Sequence, residues 1–155
     1  MLLALGGRVP AEQLIFEVTE SAVMGNPEQA LTILQQLRGL GISLSVDDFG
    51  TGYSSLSQLK RMPVQELKID QSFIRDLDEA SEDAVIVRST IDMSHSLGLK
   101  VVAEGVEYER SLRLLERWGC DTVQGYLISR PLSAEAFETW HGQPLNPLLL
   151  RETER

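Results

Sequence analysis

The 155 residues make one domain's length, and 43% hydrophobic content allows a buried core. Against 14 basic residues stand 23 acidic ones, a net charge of −9, which excludes a basic surface for nucleic-acid polymers and means that an anionic substrate would need metal help. The opening MLLALGG is too short for a signal-peptide core, no stretch reaches membrane-spanning length, and a lone Cys120 excludes an internal disulfide; a cytoplasmic chain is expected, free or as the cytoplasmic part of a membrane-anchored protein.

In chain order, the first apolar run, Leu14 to Thr19, reads as a strand. A helix then follows GNP: Asn26 suits the N-cap, Pro27 the first helical position, and Leu31, Leu34 and Leu37 lie on one face until Gly39 and Gly41 stop it. The second strand is Ile42 to Asp48, followed by a short helix at Ser54 to Lys60, and the third is Glu66 to Asp70. Ser81 opens a helix reaching Leu97, before a strand at Lys100 to Glu104 and a helix at Tyr108 to Trp118. Asp121 to Tyr126 forms the fifth strand and Ser133 to Trp140 a final helix. After it, residues 142–155, with two prolines and no long period, are expected to be an irregular tail.

Strand then helix, repeated five times, predicts an α/β parallel sheet wrapped by helices. Side chains alternate faces along a strand, so Ile42, Leu44 and Val46 share one face while Ser43, Ser45 and Asp47 share the other. An open doubly wound sheet would be apolar on both faces; one oily and one polar face predicts a barrel. Five strands are too few for an eight-unit barrel of about 250 residues, so the expectation is an incomplete (β/α)8 TIM-type barrel whose first units would precede Met1.

Near the C-terminal ends of these strands lie Glu17, the pair Asp47 and Asp48, Lys68, Glu104 and Gln124, at the end where barrel enzymes build their sites. An isolated Asp-Asp before a glycine turn is usually a solvated turn. Acid, acid pair, base, acid and amide on five successive strands favour a site instead. Carboxylates converging on one mouth repel unless protonated or neutralised, and their hard oxygens suit Mg²⁺ or Mn²⁺. Asp47 and Asp48 would point to opposite sides of a regular strand, and Gly50 and Gly52 permit the break that lets both approach one cluster.

Five segments, FEVTES (16–21), DDFGTGYSS (47–55), LKID (67–70), AEGVE (103–107) and QGY (124–126), in this order and spacing resemble the EAL-domain family. The resemblance runs from Leu14 to Trp140, so residues 1–141 read as the C-terminal part of such a domain. It implies a modified (β/α)8 barrel that hydrolyses cyclic di-GMP to linear pGpG with two divalent cations, Mg²⁺ or Mn²⁺. By motif, Glu17 and Asp47 resemble ligands of one metal, Asp47 the bridge, Asp48 a ligand of the second, and Glu104 a second-metal or water-linked carboxylate. Lys68 resembles the lysine that holds and polarises the attacking water. Gln124 matches a position lining the dinucleotide site, Glu107 the second acid of the AEGVE segment with a structural or substrate-side role, and Thr19 and Glu20 the supports of the Asp-Asp-Phe-Gly loop.

The Glu-Ala-Leu segment that names the family is absent, since EQAL at 28–31 lies on the predicted helix. The family's early metal-binding Asn is missing too, so the chain alone is expected to be a weak or inactive phosphodiesterase. The other readings are a non-catalytic cyclic di-GMP-binding module, and an interaction fragment whose open strand edges are closed by a homodimer or a domain-swapped oligomer. Regulation would lie in other signalling domains of a parent protein. His95 and His141 are expected to be surface or satisfied groups, Cys120 a small buried hydrophobe, and Trp118 and Trp140 packing residues.

Overall fold

A computed structural model describes residues 9–49 and 56–143. Five parallel strands lie side by side in chain order: β1 (Ile15–Thr19), β2 (Ser43–Phe49), β3 (Glu66–Ile69), β4 (Lys100–Ala103) and β5 (Thr122–Val123). Because the order never reverses, there is no switch point of the doubly wound kind, and the sheet winds one way as a barrel does. Among the described residues it is not closed, and β1 and β5 are its edges.

Among the described residues six helices connect or follow the strands: α1 (Glu20–Met24), α2 (Pro27–Gly39), α3 (Leu56–Leu59), α4 (Glu82–Ser96), α5 (Glu109–Arg117) and α6 (Ala134–His141). Three begin on side-chain caps, two of which, Asn26 and Ser81, were read from the sequence. Asn26 accepts from the Gln29 N–H at 3.3 Å, Ser81 from Ala84 at 3.1 Å and Ser133 from Ala136 at 3.3 Å, each satisfying a donor that the first helical turn leaves orphaned.

Leu44 and Val46 of β2, Leu67 and Ile69 of β3, and Val101 and Ala103 of β4 face the helices and are fully or nearly buried. Leu34 of α2, Val87 and Ile91 of α4, and Leu112 and Leu115 of α5 cover them. Burying each large aliphatic side chain contributes about 1.5–3 kcal/mol, so this helix-facing layer supplies the rigidity on which the other face is built. Cys120 packs in the same core, as expected, and burial pushes its thiol up to about 11.

Three departures have local causes. The fifth strand is shorter than Asp121 to Tyr126 because the chain coils after Gln124, with Ile128 and Ser129 N–H groups both donating to the Gly125 carbonyl. Three short helical segments, α1 and 3-10 turns at Ala11–Gln13 and Gln71–Phe73, are too brief for an apolar period to reveal. The Ser54 to Lys60 helix is seen at Leu56–Leu59, with residues 54–55 outside the described residues, as is most of the tail.

His95 is a satisfied surface group: its Nε2 lies 2.8 Å from Asp121 Oδ2, which also accepts the Val101 N–H at 2.9 Å. The pair ties the end of α4 to the start of β4 and the loop before β5.

Candidate active site

Period-two alternation turns Glu17, Asp47 and Lys68 to the face opposite the helix-packed core, and Glu104 and Gln124 continue it one residue past β4 and β5. On β1 the alternation is plain: Ile15, Glu17 and Thr19 are exposed while Phe16 and Val18 pack inward. Between Val46 and Phe49 the pairing of β2 with β3 slips register, a bulge that breaks the pleat where the two aspartates sit and re-aims side chains. The Asp48 side chain, Gly50 and Gly52 lie outside the described residues.

Lys68 lies on the polar face, yet it is buried, 5% exposed. Its Nζ donates to Glu17 Oε1 at 2.6 Å and stands 2.7 Å from Glu104 Oε1 and 3.6 Å from Asp47 Oδ1. One ammonium thus joins carboxylates from both sides of β3. Burial, the largest influence on it, pulls its pKa down, but hydrogen bonds to Glu104 and Glu17 and the charges of Glu104 and Asp47 more than offset that, holding it above the ordinary 10.5.

The oxygen-only donor set of Glu17, Asp47 and Glu104 is chemically suited to a hard divalent cation. Among the described residues, no group of three or more His, Cys, Asp or Glu side chains is arranged to hold a metal ion; the carboxylates are drawn onto Lys68 instead. Donor chemistry therefore fits Mg²⁺ or Mn²⁺, and the Lys68 ammonium supplies positive charge among the same carboxylates.

Beside Glu104 a cleft of about 280 Å³ is lined by Gln71, Arg75, Glu104, Glu107, Gln124 and Tyr126. The Gln124 N–H donates to the Ala103 carbonyl and its carbonyl accepts the Val106 N–H, while the Leu127 N–H donates to Val106 O. This clamp needs Gly125, because a Cβ there would lie 2.2 Å from Val106 O and 2.3 Å from Val106 N. Gln124, Gly125 and Tyr126 also wall a second, largely apolar hollow of about 530 Å³ with Pro131, Phe137 and Trp140, where the Arg130 guanidinium lies 4.7 Å from the Tyr126 ring centroid.

Thr19 sits beside Asp47 in register and its Oγ1 lies 3.4 Å from Ser21 Oγ; the Glu20 side chain and the loop after Phe49 lie outside the described residues. Glu107 is exposed and joins the cleft rather than the Lys68 cluster. Gln71 and Arg75 were not singled out from sequence. Their signal was the Asp70-Gln71-Ser72 run, in which Asp70 accepts the Ser72 N–H at 2.9 Å and starts the turn that brings both into the cleft.

The model of the family described as the EAL domain matches residues 2–131. The chain is 52% identical over 122 residues to the bifunctional diguanylate cyclase/cyclic di-GMP phosphodiesterase MucR of Pseudomonas aeruginosa, covering 79% of this chain and 18% of that protein. It is 52% identical over 125 residues to the cyclic di-GMP phosphodiesterase NbdA of the same organism, covering 81% and 16%. Among solved structures, the Pseudomonas MucR phosphodiesterase in complex with c-di-GMP superposes with TM-score 0.81 at 48% identity over 86% of this chain and 54% of that one. Klebsiella pneumoniae BlrP1 with manganese and cyclic di-GMP gives 0.75 at 39% over 84% and 33%. The chain thus spans less than a fifth of these curated relatives and about half of the MucR structure. No helix among the described residues is long and apolar enough to cross a membrane.

Proposed function

The chain belongs to the EAL-domain family, and from that premise we propose that its strand-end site binds cyclic di-GMP and hydrolyses one phosphodiester to linear pGpG. The observation that carries this reading is the gathering of Glu17, Asp47 and Glu104 around Lys68 beside the cleft of Gln124 and Glu107.

Glu17 and Asp47 would hold one cation, Asp47 and Asp48 a second, with Glu104 on the second cation or a water linked to it; Mg²⁺ or Mn²⁺ suits these oxygens. Bound there, a cation pair would supply the acidity that makes water a nucleophile and the charge that stabilises phosphoryl and leaving oxygens. Lys68, an ammonium with three N–H donors that stands among these same carboxylates, would hold the attacking water once the cations hold the oxygens. Gln124 and Glu107 face the substrate, and the dinucleotide spans the two hollows that share the Gln124 to Tyr126 wall. By the family resemblance, Thr19 and Glu20 would support the Asp-Asp-Phe-Gly loop.

The two open edges, β1 and β5, carry a second reading, a binding module whose sheet is completed by another copy, and further signalling domains as partners. They also bear on rate: with an open sheet, turnover by the 155-residue chain alone is slow. The test is Mn²⁺-dependent conversion of cyclic di-GMP to pGpG by the purified chain, with Asp47→Asn beside it. Slow product formation that the substitution abolishes upholds the reading. Product formation that survives the substitution, or binding of cyclic di-GMP with no cleavage, overturns it, the latter in favour of the binding module.

A further inference from the structure

Among the described residues Lys68 is the one charged side chain that is buried. It stands at the centre of the site rather than at its rim: its ammonium is 2.6 Å from Glu17 on β1, 2.7 Å from Glu104 after β4 and 3.6 Å from Asp47 on β2. Without that cation three carboxylates would face one another across a partly desolvated mouth, where repulsion is weakly screened. We propose that in the metal-free protein Lys68 is the internal counter-ion that holds the open end of the sheet together, and that a divalent cation binds by taking Glu17 and Glu104 away from it.

Two consequences separate this role from holding a water. The ammonium ties β1, β2 and the end of β4 to β3 before any metal arrives, so the ligands are already close when it does. It also competes for the same oxygens, so removing it strengthens metal binding even as it weakens the metal-free fold. The exchange half rests on the function proposed above; the counter-ion half does not.

The test uses the 155-residue chain in chelator, melted as wild type, Lys68→Met, Glu104→Gln and the double variant. Breaking a buried ion pair from one side leaves uncompensated charge, so Lys68→Met is expected to lower Tm by on the order of 5–10 °C. The diagnostic is a sign reversal: Glu104→Gln lowers Tm in wild type, where it removes a partner of the lysine, and raises it in Lys68→Met, where it removes a repelling charge. Should Lys68→Met not fold, recovery of a folded chain by adding Glu104→Gln carries the same sign. Glu104→Gln lowering Tm in both backgrounds, or failing to recover the fold, overturns the counter-ion.

Calorimetric titration with Mn²⁺ tests the exchange, which is expected to tighten about ten-fold in Lys68→Met. Unchanged or weaker Mn²⁺ binding in that variant, while wild type binds Mn²⁺ and cleaves cyclic di-GMP, overturns the exchange alone. No Mn²⁺ binding by either protein overturns both the exchange and the proposed activity.

Discussion

Lys68 reaches Glu104 diagonally: its register partner on β4 is Val102, and the carboxylate 2.7 Å from its ammonium belongs to the residue two further along the same face. Diagonal neighbours on one face of a sheet are within reach of long side chains. The pair therefore joins the body of β3 to the strand-end loop that also carries Glu107. Glu104→Gln keeps the shape and removes the charge, and is expected to lower Mn²⁺-dependent cleavage by at least about 100-fold. Single-turnover assays at saturating substrate check it.

Gly125→Ala would place a Cβ 2.2 Å from Val106 O, against backbone that cannot rotate away. Overpacking of this kind costs about 1–3 kcal/mol, read as a Tm lowered by roughly 2–10 °C for a chain of this size. Because Val106 lies between Glu104 and Glu107, substrate affinity is expected to fall with it, which a binding isotherm on the folded variant measures.

Burial works to raise the Asp121 pKa, but the hydrogen bond with His95 and the Val101 N–H outweigh it, and the carboxyl lies below its ordinary 3.8. A folded value below the unfolded one contributes stability that is present above the unfolded value and lost as pH falls through the depressed one. Asp121→Asn is therefore expected to flatten the acid limb of the stability profile below about pH 4. Urea melts across pH 2–7 check it.

Ser81 caps the longest helix through its Oγ, which accepts the Ala84 N–H at 3.1 Å. Ser81→Ala is expected to destabilise by about 1 kcal/mol, visible as a shifted denaturation midpoint with unchanged slope.

Much of this architecture was legible in the sequence because burial writes a period into it. Leu44 and Val46 against Ser43, Ser45 and Asp47 gave the two faces of β2, and Asn26 and Ser81 marked helix starts by their own capping chemistry. Six residues at five strand ends were read as converging, and Glu17, Asp47, Lys68 and Glu104 do meet. The depth of Lys68 was not legible, since a lysine flanked by Leu67 and Ile69 reads as the polar side of an alternating strand and only tertiary packing closes over it. Nor was the part played by Arg75, whose approach to the cleft depends on a three-residue turn after Asp70 with no hydrophobic period of its own. The shortness of β5 follows from the turn after Gln124, where the Ile128 and Ser129 N–H groups donate back to the Gly125 carbonyl, a local closure that the apolar run does not announce.

The most direct test is calorimetric titration of cyclic di-GMP into the 155-residue chain with Ca²⁺, comparing wild type with Glu104→Gln. The expected result is one dinucleotide bound per chain, with affinity at least about ten-fold weaker in the variant. Absence of binding heat in wild type, or an isotherm that the substitution leaves unchanged, would contradict a cyclic di-GMP site at the strand ends.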